Sequence, residues 1–210
     1  MHAVELDEHL VALLRSEFQN ELKFHVHHGD VLSMDWSQWG PAIIVGNLPY
    51  YITSPIIERF LGLPAEYEIA VFLTQAEVAD RLRASPGSRD YGYLTVETQL
   101  ICDVELVTRV PPGAFSPPPK VQSAVVRLTR KKTALDNRQE LLRFVSCCFS
   151  KKRKTLRNNL RGFYPLQVID SLPEAKLRAE QLTIEQLADL ERRLSPHALG
   201  ALSEQQADRL

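Results

Sequence analysis

Asn47-Leu48-Pro49-Tyr50 sets an amide, a Pro-fixed backbone and an aromatic ring within four residues. Together they suit one task, gripping a flat base by its amino edge. The amide oxygen and a backbone carbonyl can accept both hydrogens of an exocyclic amine, while the ring stacks on the base. The same residues could close a strand-terminal turn that holds no ligand. Two carboxylates precede the tetrapeptide, Glu5 after Val4 and Asp30 in Gly29-Asp30-Val31. A carboxylate at the end of a strand in a nucleotide-binding unit accepts hydrogen bonds from ribose hydroxyls. Asp30 can instead accept from an adenine amino group while the Val31 amide donates to the ring. Acidic residues at strand ends are also often solvated or cap the next helix.

Further along, Phe115 lies inside Pro111-Pro112-Gly113-Ala114-Phe115-Ser116-Pro117-Pro118-Pro119. Such a run holds an extended backbone at low entropic cost, displaying the ring on a stiff loop. The ring is then either a core plug or a second jaw facing Tyr50. A third group runs from Ser150 to Arg161, with Lys151, Lys152, Arg153, Lys154, Arg157 and Arg161 among eleven residues and no acid. On a helix, Lys154, Arg157 and Arg161 share one face and Leu156, Leu160 and Phe163 the other, which suits phosphate contact. His25, His27 and His28 have no carboxylate or cysteine at matching spacing, so they read as strand or surface histidines and no metal is expected.

The elements that must position these groups follow from periodicity. Strands are expected at the N-terminus up to Val4, over Phe24 to His28, Ala42 to Gly46 and Ile69 to Leu73, then Val104 to Val110 and Val121 to Leu128. The apolar run Ala42 to Val45 reads as a buried parallel strand. Helices are expected over Leu6 to Phe18, with Leu10, Leu13 and Leu14 at helical spacing, then Pro55 to Leu61, Gln75 to about Ala84 and Tyr93 to Ile101. Beyond Arg130-Lys131-Lys132 the pattern is helical, near 138–150, 153–163 and 183–194. Alternating strands and helices closed by a strand pair indicate a doubly wound α/β sheet. A boundary near Thr133 divides the chain into 1–132 and 133–210.

The totals agree with a globular protein of 210 residues, 44% apolar and 24% charged. No apolar run approaches the ~20 residues of a membrane span, and Met1 to Glu8 has no signal-peptide pattern. Cys102, Cys147 and Cys148 lack metal-site spacing, so a reducing cytoplasm is the expected location. The net charge of −1 conceals a split. Twelve basic and two acidic residues lie between Arg127 and Phe163, a local charge of +10. One surface is thus built for a polyanion.

Five segments together resemble the KsgA-type small-subunit rRNA adenine dimethyltransferases: Asn47 to Ile52, Phe72 to Val78, Pro111 to Val121, Ser123 to Leu128 and Arg153 to Leu160. The resemblance runs in order from about Val4 to Leu194. It implies a Rossmann-like class I methyltransferase sheet with a small C-terminal all-helical domain. It also implies S-adenosylmethionine as donor and two adjacent adenosines in the 3′-terminal hairpin loop of 16S rRNA as acceptors, each dimethylated during ribosome biogenesis. Family roles fall on Glu5 for the donor's ribose and on Asp30 and Val31 for its adenine. Asn47 and Leu48 take the target amine, Pro49 shapes the loop, and Tyr50 with Phe115 stack. The basic C-terminal residues would grip the rRNA of the small subunit, and a monomer is expected.

One departure bears on both fold and site. The family opens with a basic segment and a first strand ending in a Gly-x-Gly-type loop that cradles the donor. No Gly-x-Gly occurs in this sequence, which opens at the equivalent of the second strand. The expected sheet therefore lacks its first strand, leaving unpaired edges between the strands ending at Glu5 and Asn47. Ala76 also replaces a Lys frequent in the family. Two other readings stand beside the first, a non-catalytic rRNA-binding fragment and a macrolide-resistance-type methylase of large-subunit rRNA.

Overall fold

The computed structural model describes residues 1–132 and 137–199. Thr133, where the sequence suggests a boundary, lies outside them. Strand β1 (His2–Glu5), helix α1 (Glu8–Glu17) and strand β2 (His25–His28) open the chain. Next come β3 (Ile44–Asn47), α2 (Thr53–Gly62), β4 (Ile69–Gln75), α3 (Ala76–Leu82), α4 (Tyr93–Ile101), β5 (Cys102–Val110) and β6 (Ser123–Arg130). The remainder is helical: α5 (Arg138–Phe149), α6 (Leu156–Leu160), α7 (Leu166–Asp170) and α8 (Ile184–Leu194), with short 3-10 turns between.

The strands form two sheets. β1 and β2 pair in parallel, and the second sheet runs β3-β4-β6-β5. Within it β3 and β4 are parallel, while β6 is antiparallel to both β4 and β5. β1 and β3 each pair on one edge only among the described residues. The division falls where the expected interruption lies, between the strands ending at Glu5 and Asn47.

One expectation of burial is corrected at this division. β3 is parallel, as expected, but it is not buried: Val45 is 75% exposed, and Ile43 just before the strand 65%. An edge strand paired on one side only has no neighbour to cover such side chains. α1 forms where its spacing predicts, capped by Asp7, yet Leu10 and Leu13 are exposed and only Val11 is buried. Helical spacing sets a face but does not supply the layer that covers it.

The core lies elsewhere. β4 alternates strictly, burying Ala70, Phe72 and Thr74 on one face. Against it pack Ile56, Ile57, Phe60 and Leu61 of α2 and Val96 and Leu100 of α4, continuing into Leu141, Phe144 and Val145 of α5. Arg130, ending β6, locks α2 in place. Its guanidinium donates to the carbonyls of Phe60, Leu61, Leu63 and Tyr67 and lies 5.1 Å from the centre of the Phe60 ring. The Phe60 and Leu61 carbonyls lie in the last turn of α2, and those of Leu63 and Tyr67 in the segment that follows it.

The helix expected over 153–163 is much shorter. α6 covers Leu156–Leu160 alone, and Gly162 beyond it has φ +99, a left-handed conformation that ends the helix. Lys151 to Lys154 form a turn instead, closed by the Lys154 amide donating to the Lys151 carbonyl at 3.0 Å. Lys154, Arg157 and Arg161 therefore do not share a helical face.

Candidate active site

The site is built at the C-terminal ends of parallel strands, where open α/β sheets place their ligands. Asn47 is the last residue of β3, opposite Leu73 of β4. Its side chain is exposed and has no hydrogen-bond partner among the described residues. Leu48 is anchored twice. Its amide donates to the Leu73 carbonyl at 2.9 Å, and its side chain is buried. Gly46 makes room for this packing, because a Cβ there would lie 2.7 Å from Leu48 Cδ2. With side chain and amide engaged inward, the Leu48 carbonyl is left with no hydrogen-bond donor among the described residues.

Pro49 has φ −61 and ψ 129, which turns the chain into the 3-10 turn Tyr50–Ile52. Its carbonyl accepts from the Ile52 amide and from the Thr53 hydroxyl, itself bonded to Thr74 in the core. The loop is thus fixed from both sides. Tyr50 is half-buried, and its hydroxyl shares a 2.7 Å hydrogen bond with that of Ser123, the first residue of β6.

Phe115 follows the 3-10 turn Pro112–Ala114 in the loop joining β5 to β6, half-buried. It belongs neither to the buried core nor to the residues packed against it. The core-plug reading is therefore excluded. Tyr50 and Phe115 make no ring contact with each other.

Glu5 and Asp30 come together on the smaller sheet. Glu5 ends β1 opposite His28, its carbonyl accepts from the Gly29 amide, and Asp30 follows directly. One Glu5 oxygen, Oε1, accepts from the amides of Leu6 and Asp7, and Oε2 has no partner among the described residues. Likewise Asp30 Oδ1 accepts from the Leu32 amide, and Oδ2 is free among the described residues. The Val31 amide donates to nothing among the described residues, although its carbonyl accepts from Trp36 Nε1. Trp36 is in turn covered by Arg59 of α2, whose guanidinium also donates to the Met34 carbonyl. The Val31 loop is pinned to the larger sheet's helical layer in this way.

The histidines have a structural occupation. His25 and His27 share a face and both stack on His2, with Trp39 against His2 and His27. His28 turns away to the Leu6 carbonyl.

The basic group divides. Lys151, Lys152, Arg153, Lys154 and Arg161 are exposed and without ion-pair partners among the described residues. Arg157 is paired with Asp170 of α7, which pushes the guanidinium's pKa upward and holds the carboxyl below its ordinary range, in both cases chiefly through their hydrogen bond. The turn is fixed by buried Asn159, whose amide donates to the carbonyls of Cys148 and Lys151.

A cavity of about 570 Å³ lies between α2, α4 and α5, with Leu32 at its edge, and includes none of Glu5, Asp30, Asn47, Tyr50 or Phe115. Glu97 lines it, buried and with Oε2 unpartnered, and burial and then the nearby Glu58 push its pKa to about 7.

A family profile described as ribosomal RNA adenine dimethylase matches residues 1–195. A curated relative from Acidobacterium capsulatum, named ribosomal RNA small subunit methyltransferase A, is 42% identical, covering 91% of this chain and 72% of the relative. One of the same name from Synechococcus elongatus is 41% identical, covering 88% and 73%. Among solved structures, a dimethyladenosine transferase from Plasmodium falciparum superposes with a TM-score of 0.76 at 24% identity, over 94% of this chain and 83% of that one. The 23S rRNA methyltransferase ErmE gives 0.67 at 27% identity, over 92% and 81%. The fold is thus the Rossmann-like methyltransferase fold.

Proposed function

Because the chain belongs to the ribosomal RNA adenine dimethylase family, we propose that it dimethylates the exocyclic amines of two adjacent adenosines in the 3′-terminal hairpin loop of small-subunit rRNA. The observation that carries this reading is the pair of unspent acceptors at Asn47 and Leu48 beside an aromatic ring. An adenine amine is a poor nucleophile because its lone pair is delocalised into the ring. Accepting its two hydrogens at Asn47 Oδ1 and the Leu48 carbonyl favours a pyramidal nitrogen and aims the lone pair. Positioning is then the main contribution, with fixed dipoles already facing the charge that develops. No strong base is needed beforehand, since the nitrogen becomes acidic once alkylated and its proton passes to water. After the first methylation one hydrogen remains, so one of the two acceptors goes without its donor in the second round.

S-adenosylmethionine supplies a methyl group already activated on a sulfonium. The free acceptors Glu5 Oε2 and Asp30 Oδ2 and the free Val31 amide fit the ribose and adenine of such a donor. Tyr50 and Phe115 would stack on the flipped base, at ~1–3 kcal/mol per base, which offsets the few kcal/mol of extrusion. The domains proposed are 1–132 for methyl transfer and 133–210 for rRNA binding, acting as a monomer in the cytoplasm. The small-subunit substrate is favoured over the large-subunit one because the relatives near 40% identity carry small-subunit names, against 27% for ErmE.

A second reading, RNA retention without transfer, is favoured by the division between β1 and β3, each of which pairs on one edge only among the described residues. Calorimetric titration of S-adenosylmethionine into the 210-residue chain and its Asp30→Ala variant separates the two. Saturable binding that weakens in the variant supports transfer, whereas a folded chain that binds no donor supports retention alone.

A further inference from the structure

Ser123 has no role in the chemistry described above, yet it is fully buried and its hydroxyl has one partner, the Tyr50 hydroxyl at 2.7 Å. The two residues are 73 positions apart, so the contact is a product of the fold. Ser123 opens β6, hydrogen-bonded into the sheet opposite Gln75 of β4 and Val110 of β5. It is also the residue at which the loop carrying Phe115 rejoins the sheet. One small side chain therefore ties the loop bearing one ring to the base of the loop bearing the other.

The chemistry at Tyr50 raises the question that this contact answers. Stacking uses the face of a ring, and a phenylalanine presents the same face. The hydroxyl contributes nothing to stacking itself. Held to Ser123, however, it removes freedom from the ring, which the short 3-10 turn alone leaves half-exposed. Transfer to a nitrogen held by two acceptors depends on the tilt of the base, and small errors of placement cost rate rather than affinity.

We propose that Ser123 is a positioning residue for methyl transfer, anchoring the far end of the Tyr50 ring, and so the direction of its long axis against the target base, through their shared hydrogen bond. This rests on the reading of Tyr50 as a stacking residue. Ser123 does not touch the base.

The test is a double-mutant cycle on Ser123→Ala and Tyr50→Phe, with Tyr50→Ala as reference, read by single-turnover methyl transfer to small ribosomal subunits. Each conservative variant should lower the transfer rate roughly tenfold and leave RNA affinity within about twofold. The double variant should be no slower than either single one, because both remove the same bond. A hairpin with 2-aminopurine at the target position supplies a readout independent of activity. Its fluorescence should be quenched less fully by Ser123→Ala and Tyr50→Phe than by the unaltered chain. Tyr50→Phe keeps the test decisive should Ser123→Ala fold poorly. Wild-type rates and quenching in Tyr50→Phe, or independent additive losses in the double variant, would overturn the proposal. Full transfer by Tyr50→Ala would instead overturn the stacking reading beneath it.

Discussion

Glu97 and Asn47 are both polar side chains with unspent hydrogen-bonding capacity, and burial separates their meanings. Asn47 ends a strand in the open, where a free acceptor costs nothing and awaits a partner. Glu97 is 8% exposed, with Glu58 nearby and Oε2 unpaired, so its charged form is disfavoured. A carboxyl raised to about 7 from an ordinary 4.5 binds a proton more tightly folded than unfolded. Its contribution to stability is therefore whole below about pH 4.5 and lost as pH rises through 7. Glu97→Gln should flatten this loss, stabilising the chain at pH 8 by no more than about 3 kcal/mol and changing little at pH 4.5. Urea unfolding at the two pH values checks it, and equal effects at both would contradict it. Asn47, Tyr50 and Phe115 stand out in the sequence as residue types in a motif, and the roles proposed for them rest on that motif. Ser123 does not, since nothing in the sequence joins positions 50 and 123.

Among the elements, Arg130 shows how one side chain fixes the scaffold behind the site. Its four carbonyl partners lie at the end of α2 and just beyond, and α2 is the helix that follows directly from the Tyr50 turn. Arg130→Met leaves the carbonyls of Leu61, Leu63 and Tyr67 without that donor in a half-buried place, and a destabilisation of about 2–4 kcal/mol is expected. Arg130→Lys should recover little, because an ammonium lacks the planar fork that reaches several acceptors at once. Denaturant midpoints for the two variants measure this, and a wild-type midpoint for Arg130→Lys would show that charge alone suffices. Periodicity located α4 to the residue and most other elements within a few. It failed where the deciding contact is distant or the element is short. α6 starts only at Leu156 and ends at Leu160, ahead of Phe163 in its apolar pattern, and five-residue α7 is too brief for a period to register.

Over the whole molecule, charge is segregated as the composition indicates, but the structure changes which cations are free. Arg157 is engaged with Asp170, while Lys151, Lys152, Arg153 and Lys154 stand exposed on one turn. If these four meet phosphates, replacing all of them with Gln should lower the slope of log affinity against log salt by about 3, at roughly 0.7–0.9 per contact. Arg157→Gln should change it far less than Lys154→Gln does. Filter binding across a salt series measures both, and equal effects of the two single substitutions would place Arg157 among the phosphate contacts. Among the described residues no helix is long and apolar enough to cross a membrane. The division of the sheet was legible from the absent Gly-x-Gly loop. The exposed apolar side chains of α1 and β3 accompany the same division, although the apolar run of β3 read alone points to burial, because burial depends on neighbours that periodicity does not name.

The most direct measurement is mass spectrometry of nucleosides from undermethylated small ribosomal subunits incubated with this chain and S-adenosylmethionine, beside its Asn47→Ala variant. Two adjacent N6,N6-dimethyladenosines formed by the unaltered chain, with Asn47→Ala still bound to RNA but slower by on the order of 10²-fold, is the predicted result. RNA retained by both chains with no dimethyladenosine formed, or transfer indifferent to Asn47, would contradict it.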